Sequence, residues 1–318
     1  MIYAYRIFAL FCAQIFFMKT NLPVLLFISM LVSAFTWQSC QSTKTASGSR
    51  TLKFGLENGK AYDYETVLNM DQEIMGQKLQ ADMSTYYSLK VISDSADFRT
   101  IEASVDRFAM KTGVGGMNIE IDTDKPIVAA EDGKDSALAM VNKLFAAIKH
   151  QKFFMKVNSE GSVMEVTGFD KMKYSIADSM GLEGERREQL MQQFDKQFNG
   201  EEIKGQFERF WSIFPNKEVK VGDTWSKTSV LKGNMPGTYT SIYTVKDIEG
   251  DMVTLEEKTK VESKEEKMGL KGDIEGTLVV DSRSGLVVTA DQDMTLKATG
   301  SGTNFEIKGK TRTKGTAR

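Results

Sequence analysis

Residues 269–300 read GLKGDIEGTLVVDSRSGLVVTADQDMTLKATG. Two alternating runs, Gly269 to Asp281 and Leu286 to Gly300, flank Asp281-Ser282-Arg283-Ser284-Gly285. Alternation places every second side chain on one face of a strand. An Asp/Ser/Gly cluster between two such runs is a hairpin turn. The stretch therefore predicts antiparallel β structure, and the same pattern extends outward from it. Thr224 to Leu231, Gly237 to Ile248, Met252 to Ser263 and Thr303 to Thr313 alternate in the same way. So do Thr51 to Leu56, Ala61 to Met70, Gln77 to Ile92 and Phe98 to Met110, with a shorter run at Met117 to Ile121. Lys152 to Val157 and Ser162 to Val166 are two more strands, joined by the turn Asn158-Ser159-Glu160-Gly161.

Two segments break the period. Ala137, Leu138, Val141, Leu144, Phe145 and Ile148 recur at helical spacing behind Asp135 or Ser136 as N-cap. Asp170 to Pro215 is helical in pieces, separated by Gly181, Gly184 and Gly200 and stopped by Pro215. Leu190, Met191, Phe194 and Phe198 form one stripe there. Phe207, Phe210, Trp211 and Phe214 form a stronger one. This second stripe is the candidate wall of a hydrophobic groove, set against the plainer reading of core packing on a sheet.

The β regions on either side of the helices resemble each other. Gly59-Lys60-Ala61-Tyr62 matches Gly222-Asp223-Thr224-Trp225, and Tyr87 to Val91 matches Tyr243 to Asp247. Phe98 to Glu102 matches Met252 to Glu256, and Val157 to Ser162 matches Val280 to Gly285, all in the same order. The expectation is a duplicated β unit, half-barrel-like, with a helical insert between the halves.

Composition narrows the function classes. The 318-residue chain has a net charge of −2 and gives no electrostatic case for nucleic acid. Its single histidine, His150, follows the first helix, where an imidazole caps carbonyls and faces the helix dipole. One histidine, with no cysteine after Cys40, supplies neither a nucleophile–base pair nor a metal set. Asp94, Asp97, Asp122, Asp124 and Asp281 fall in turns, which favour Asp for local reasons. Gly113-Val114-Gly115-Gly116 precedes a short strand rather than a helix and cradles no phosphate. Met70, Met75, Met83, Met110 and Met117 cluster in the first β region. Without nearby His or Cys they read as flexible core filling rather than a copper site. Glu120-Ile121-Asp122-Thr123-Asp124 lacks the Gly and later Glu of a calcium loop. No cofactor, no metal and no catalytic residue is expected, and the chain is read as a non-enzyme.

The N-terminus carries an address. Lys19, the apolar run Leu22 to Phe35 and the break at Ser39-Cys40 have the layout of a secretory signal. The segment resembles bacterial lipoprotein signals, with Cys40 as the lipidated residue, although Trp37 and Gln38 stand where the usual box has Leu and a small residue. Residues 1–17 read as an extension ahead of a start at Met18. Joining both apolar runs into one span would bury Lys19 at about 2.5–3.5 kcal/mol. Gln41 to Arg50 is rich in Ser, Thr and Gly and reads as a tether.

Leu52-Lys53-Phe54, Met70 to Gln77, Val166 to Asp170 and Ile213-Phe214-Pro215 with Val219 to Trp225 together resemble a family of uncharacterised Bacteroidota lipoproteins with a domain of unknown function. The resemblance implies a β-rich body and assigns no activity. The layout is also similar to periplasmic lipoprotein carriers that fold a half-barrel over helices. The resulting expectation is a mainly β, α+β protein. Its divisions are 1–17 extension, 18–39 signal, 40–50 tether and 51–318 body, the body comprising 51–168, the helical 169–215 and 216–318. The partners expected are the outer membrane, through a lipid on Cys40, and a lipid or other hydrophobic ligand in the periplasm. The alternatives are an envelope scaffold without a cavity and, less favoured, a carboxylate hydrolase.

Overall fold

The computed structural model describes residues 48–74, 77–114, 117–125, 137–197, 200–231, 236–263, 269–300 and 303–318. Cys40, the signal segment 18–39, the extension 1–17 and most of the tether lie outside the described residues. So do Met75, Gly115, Gly116, Asp135, Ser136 and Phe198.

Fourteen strands and four helices are described. In chain order they are β1 (Arg50–Leu52), β2 (Ala61–Ile74), β3 (Gln77–Asp94), β4 (Phe98–Val114), β5 (Met117–Asp122), α1 (Ala137–Ile148), β6 (Lys152–Asn158) and β7 (Val163–Thr167). There follow α2 (Phe169–Ser179), α3 (Gly184–Gln197), α4 (Gly200–Trp211), β8 (Lys217–Val219), β9 (Thr224–Leu231) and β10 (Gly237–Glu249). The chain ends with β11 (Met252–Glu262), β12 (Gly269–Asp281), β13 (Leu286–Gly300) and β14 (Thr303–Ala317). All pairings are antiparallel. One sheet runs β7-β6-β4-β3-β2-β14-β13-β12-β11-β10-β9, with β5 beside the far end of β4, and β1 pairs with β8 separately. The sheet does not close into a barrel. Helix α4 packs against both of its edge strands, β7 and β9.

Alternation decides the two faces. Tyr62, Tyr64, Leu68 and Met70 of β2 are buried, as are Leu79, Ala81, Met83, Leu89 and Val91 of β3. In β4 the inward parity changes from Ile101 and Ala103 to Phe108 and Met110, because a bulge inserts Asp106. Each fully buried Leu, Ile or Phe on this face contributes about 1.5–3 kcal/mol. Met70, Met83 and Met110 are part of this core, and Met83 pairs directly with Met110. The outer face is charged. Asp291–Arg312 and Asp293–Lys310 are cross-strand ion pairs on β13 and β14, at 3.2 and 3.5 Å. Charges on a lipid-facing strand surface cost about 2–4 kcal/mol each at midplane, so this face suits water, not acyl chains.

The register repeats between the halves. β2-β3-β4-β6-β7 and β9-β10-β11-β12-β13 are each a run of consecutive antiparallel neighbours. Gly59 (φ 78°) and Gly222 (φ 90°) occupy matching left-handed turns. Gly59 donates its N–H to the Val91 carbonyl and Gly222 to the Val245 carbonyl, both at 2.9 Å. Bulges follow at the same places, after Val91 and after Val245, then at Lys156/Val157 and at Val279/Val280. Phe98 with Met252 and Val157 with Val280 agree with this register. Tyr87 with Tyr243 does not: Tyr243 pairs with Trp225 as Leu89 pairs with Tyr62. A period-two pattern matches equally well when slid by two residues, which explains the slip. The units differ at the Asp106 bulge, which β10–β11 lack, and at their ends. After β13 the chain adds β14, which joins β2. After β7 it turns into α2–α4 instead, and α4 occupies the seam that another strand would close.

Two local expectations are revised. Thr51 to Leu56 is strand only through Leu52, because β8 supplies partners only that far. Leu52, Phe54 and Leu56 are nonetheless all buried. The strand read as ending at Ile121 extends to Asp122, whose carboxylate accepts from Arg107 Nε and Nη2 at 3.1 and 2.9 Å.

Candidate functional site

Inside the curved sheet, beneath α4, lies a cavity of about 230 Å³. Its wall is built from positions on β2, β3, β4, β6 and β9–β14, with α1, α2 and α4 over it. It runs from Phe108, Phe145 and Ile148 under α1 to a polar pole formed by Arg209, Glu257, Gln292, Thr311 and Thr313.

The apolar part is largely aromatic. Phe108 and Phe145 stack at 4.2 Å, which pins α1 to β4. Phe207 of α4 meets Tyr87 and Phe153, both at 6.2 Å, and Phe153 stacks on Phe169 at 5.3 Å. Phe210 meets Tyr64 edge-on at 5.5 Å, and Tyr64 stacks on Tyr87 at 5.2 Å. Burial pushes the Tyr64 and Tyr87 phenols well above the usual range.

The predicted stripe divides. Phe207 and Phe210 are half-buried and line the cavity. Trp211 and Phe214 are fully buried and do not line it. Trp211 packs on Phe54 at 5.5 Å and on Phe207 at 4.9 Å. One helical stripe thus supplies both a cavity wall and the plug that joins α4 to the segment around Phe54.

The polar pole centres on Glu257, which is 2% exposed. Thr259 donates to its Oε1 at 2.7 Å and Gln292 Nε2 donates to its Oε2. Arg209 Nη2 stands 3.6 Å from Oε1, and the guanidinium lies 5.0 Å over the Tyr239 ring. Arg209 Nε is buried with no hydrogen-bond partner among the described residues. Ser241 bonds Thr259, and Thr66 bonds Thr313, which completes a hydroxyl belt across the interior. Burial, then the Glu257 charge, raises the Tyr243 phenol strongly, so it stays a hydrogen-bond donor.

Glu257 and Arg209 escaped the sequence reading. Glu257 shares a parity with Val253, Leu255 and Val261, all buried. An acid on the apolar parity of a strand was the available signal. The other candidates lie elsewhere. His150 is two-thirds exposed and in the left-handed region (φ 62°), with Nδ1 3.4 Å from Asp106. Asp281 orders the β12–β13 turn by accepting from the Arg283 N–H at 3.0 Å. Asp94 pairs with Arg99. In the Glu120–Asp124 segment, Lys125, Arg107 and Lys149 neutralise the three carboxylates.

A family model described as a family of unknown function (DUF6263) matches residues 96–287. No curated protein matches. Among solved structures, the chain is similar to Ail, the attachment invasion locus protein of Yersinia pestis, at 5% identity. That match covers 82% of this chain and 100% of that one, with a TM-score of 0.19. It is also similar to the outer membrane protein Omp33 of Acinetobacter baumannii, at 7% identity, over 81% of this chain and 99% of that one, with a TM-score of 0.18. Scores this low carry no argument about the fold or location of this chain.

Proposed function

The chain belongs to that family of unknown function, and from its own interior we propose that it binds a small, single-chain hydrophobic molecule without transforming it. The observation that carries this reading is the cavity of about 230 Å³, walled by Phe108, Phe145, Phe153, Phe207 and Phe210 and ending at Glu257 and Arg209. Ligand sites are typically apolar concavities with a few placed polar groups. A solid structural core would be packed to crystal-like density instead. A dry cavity of about 150 Å³ holds benzene, so this one has room for about nine heavy atoms.

In this reading the lipid on Cys40 holds the protein at the outer membrane, and the charged outer face of the sheet stands in the periplasm. Non-catalytic binding is preferred to hydrolysis because Glu257 is the only carboxylate lining the cavity among the described residues. A two-carboxylate hydrolysis needs a second acid across from it.

The test is solvent extraction and mass spectrometry of the full chain, purified from its host in an amphipathic polymer. The expected result is one apolar species in near-stoichiometric amount. Extracts indistinguishable from those of an unrelated envelope protein would favour the scaffold alternative.

A further inference from the structure

We infer that the polar pole selects an uncharged head group, so that the ligand is a neutral acyl lipid, an ester or amide, rather than a free fatty acid or an alkylamine. The inference rests on the proposed ligand binding and concerns what that same cavity accepts.

Charge balance carries it. Arg209 and Glu257 oppose each other at 3.6 Å and sum to zero. Lys149, the other charged group lining the cavity among the described residues, is matched outside it by Asp124 at 2.6 Å. A charged head would therefore enter a low-dielectric space with no spare counter-ion, which is costly. An uncharged head brings no such penalty.

Hydrogen-bond capacity then selects among neutral heads. Both Glu257 oxygens already accept, from Thr259 and Gln292, with Arg209 close to one of them. What the pole lacks is an acceptor, because Arg209 Nε is buried without a partner among the described residues. A carbonyl oxygen supplies that acceptor when the guanidinium, one-quarter exposed, turns its Nε–H toward the cavity, whereas a pure hydrocarbon leaves the donor unsatisfied.

The experiment titrates octanamide, octanoate and octylamine, of about nine or ten heavy atoms each, into the full chain by calorimetry at neutral pH. The three probes share chain length and differ in head charge. The expected order puts octanamide first by about tenfold or more. Glu257→Gln leaves the pole positive and should move octanoate to first place. Arg209→Gln leaves it negative and should move octylamine there. Octanoate or octylamine binding the wild type as tightly as the amide would overturn the inference, as would an unchanged order in both folded variants. If a variant fails to fold, the wild-type order decides alone. Binding of none of the probes removes the ligand-binding reading itself. Equal binding of all three removes only the neutral-head inference.

Discussion

Arg209 and Glu257 meet across the seam of the sheet, one on helix α4 and the other on strand β11, with Nη2 3.6 Å from Oε1. The contact ties the element that covers the opening to the centre of the second β unit. It also places opposite charges at one end of a cavity whose remaining wall is largely aromatic.

Breaking this pair should cost stability unevenly. Arg209→Met leaves Glu257 buried and uncompensated, and should destabilise the protein by about 3 kcal/mol, the low end for a buried pair because Arg209 is one-quarter exposed. Glu257→Gln keeps the contacts to Thr259 and Gln292 in altered form and should cost about 1 kcal/mol. The double variant should recover part of the Arg209→Met loss, measured by chemical denaturation as a double-mutant cycle. Strict additivity would show that the two side chains do not interact.

Gly161 should be far less replaceable than Gly59, although both have positive φ, 84° and 78°. A Cβ on Gly161 would lie 2.3 Å from the Trp211 carbonyl oxygen, while one on Gly59 meets nothing within 4 Å. Gly59→Ala should cost about 1 kcal/mol, the left-handed penalty alone. Gly161→Ala adds a backbone clash and should cost about 3 kcal/mol or more, read as the shift in urea midpoint.

Asp122 should give an acid-side signature. Hydrogen bonding from Arg107 holds its carboxyl below the usual range. A depressed carboxylate contributes stability that is present above its unfolded value near about 3.9 and is lost as pH falls through the folded value. Asp122→Asn should therefore be about 1 kcal/mol less stable at neutral pH and converge with the wild type in acid. Denaturation midpoints from neutral pH down to strong acid would check this.

The sheet and its helical interruption were legible because alternation and helical spacing are local. Leu79, Ala81 and Met83 declare an inward face without reference to any partner strand. The turn glycines Gly59 and Gly222 were legible for the same reason: φ is a property of one residue. The cavity was not legible. Phe207, Phe210, Trp211 and Phe214 share one helical stripe, and only the strands opposite decide which rings meet open space and which meet Phe54. Nor did the approach of Arg209 to Glu257 have a local signal. It follows from α4 filling the seam between β7 and β9, which periodicity in neither segment reports. The correspondence of Tyr243 was misread because alternating sequences match at every second offset, and the bulges that fix the register become visible only in the pairing.

The cavity's role as a binding site is tested most directly by filling it. Ala103 and Ala290 are both buried and both line it, on β4 and β13. Changing both to Leu adds about six carbons to a space for about nine heavy atoms. Native mass spectrometry of the full wild-type chain and of the Ala103→Leu/Ala290→Leu variant, with octanamide added to each, is the deciding measurement. The account predicts a one-to-one complex for the wild type and none for a variant that melts at the same temperature or higher. Equal complex formation by both proteins, or by neither, would contradict it.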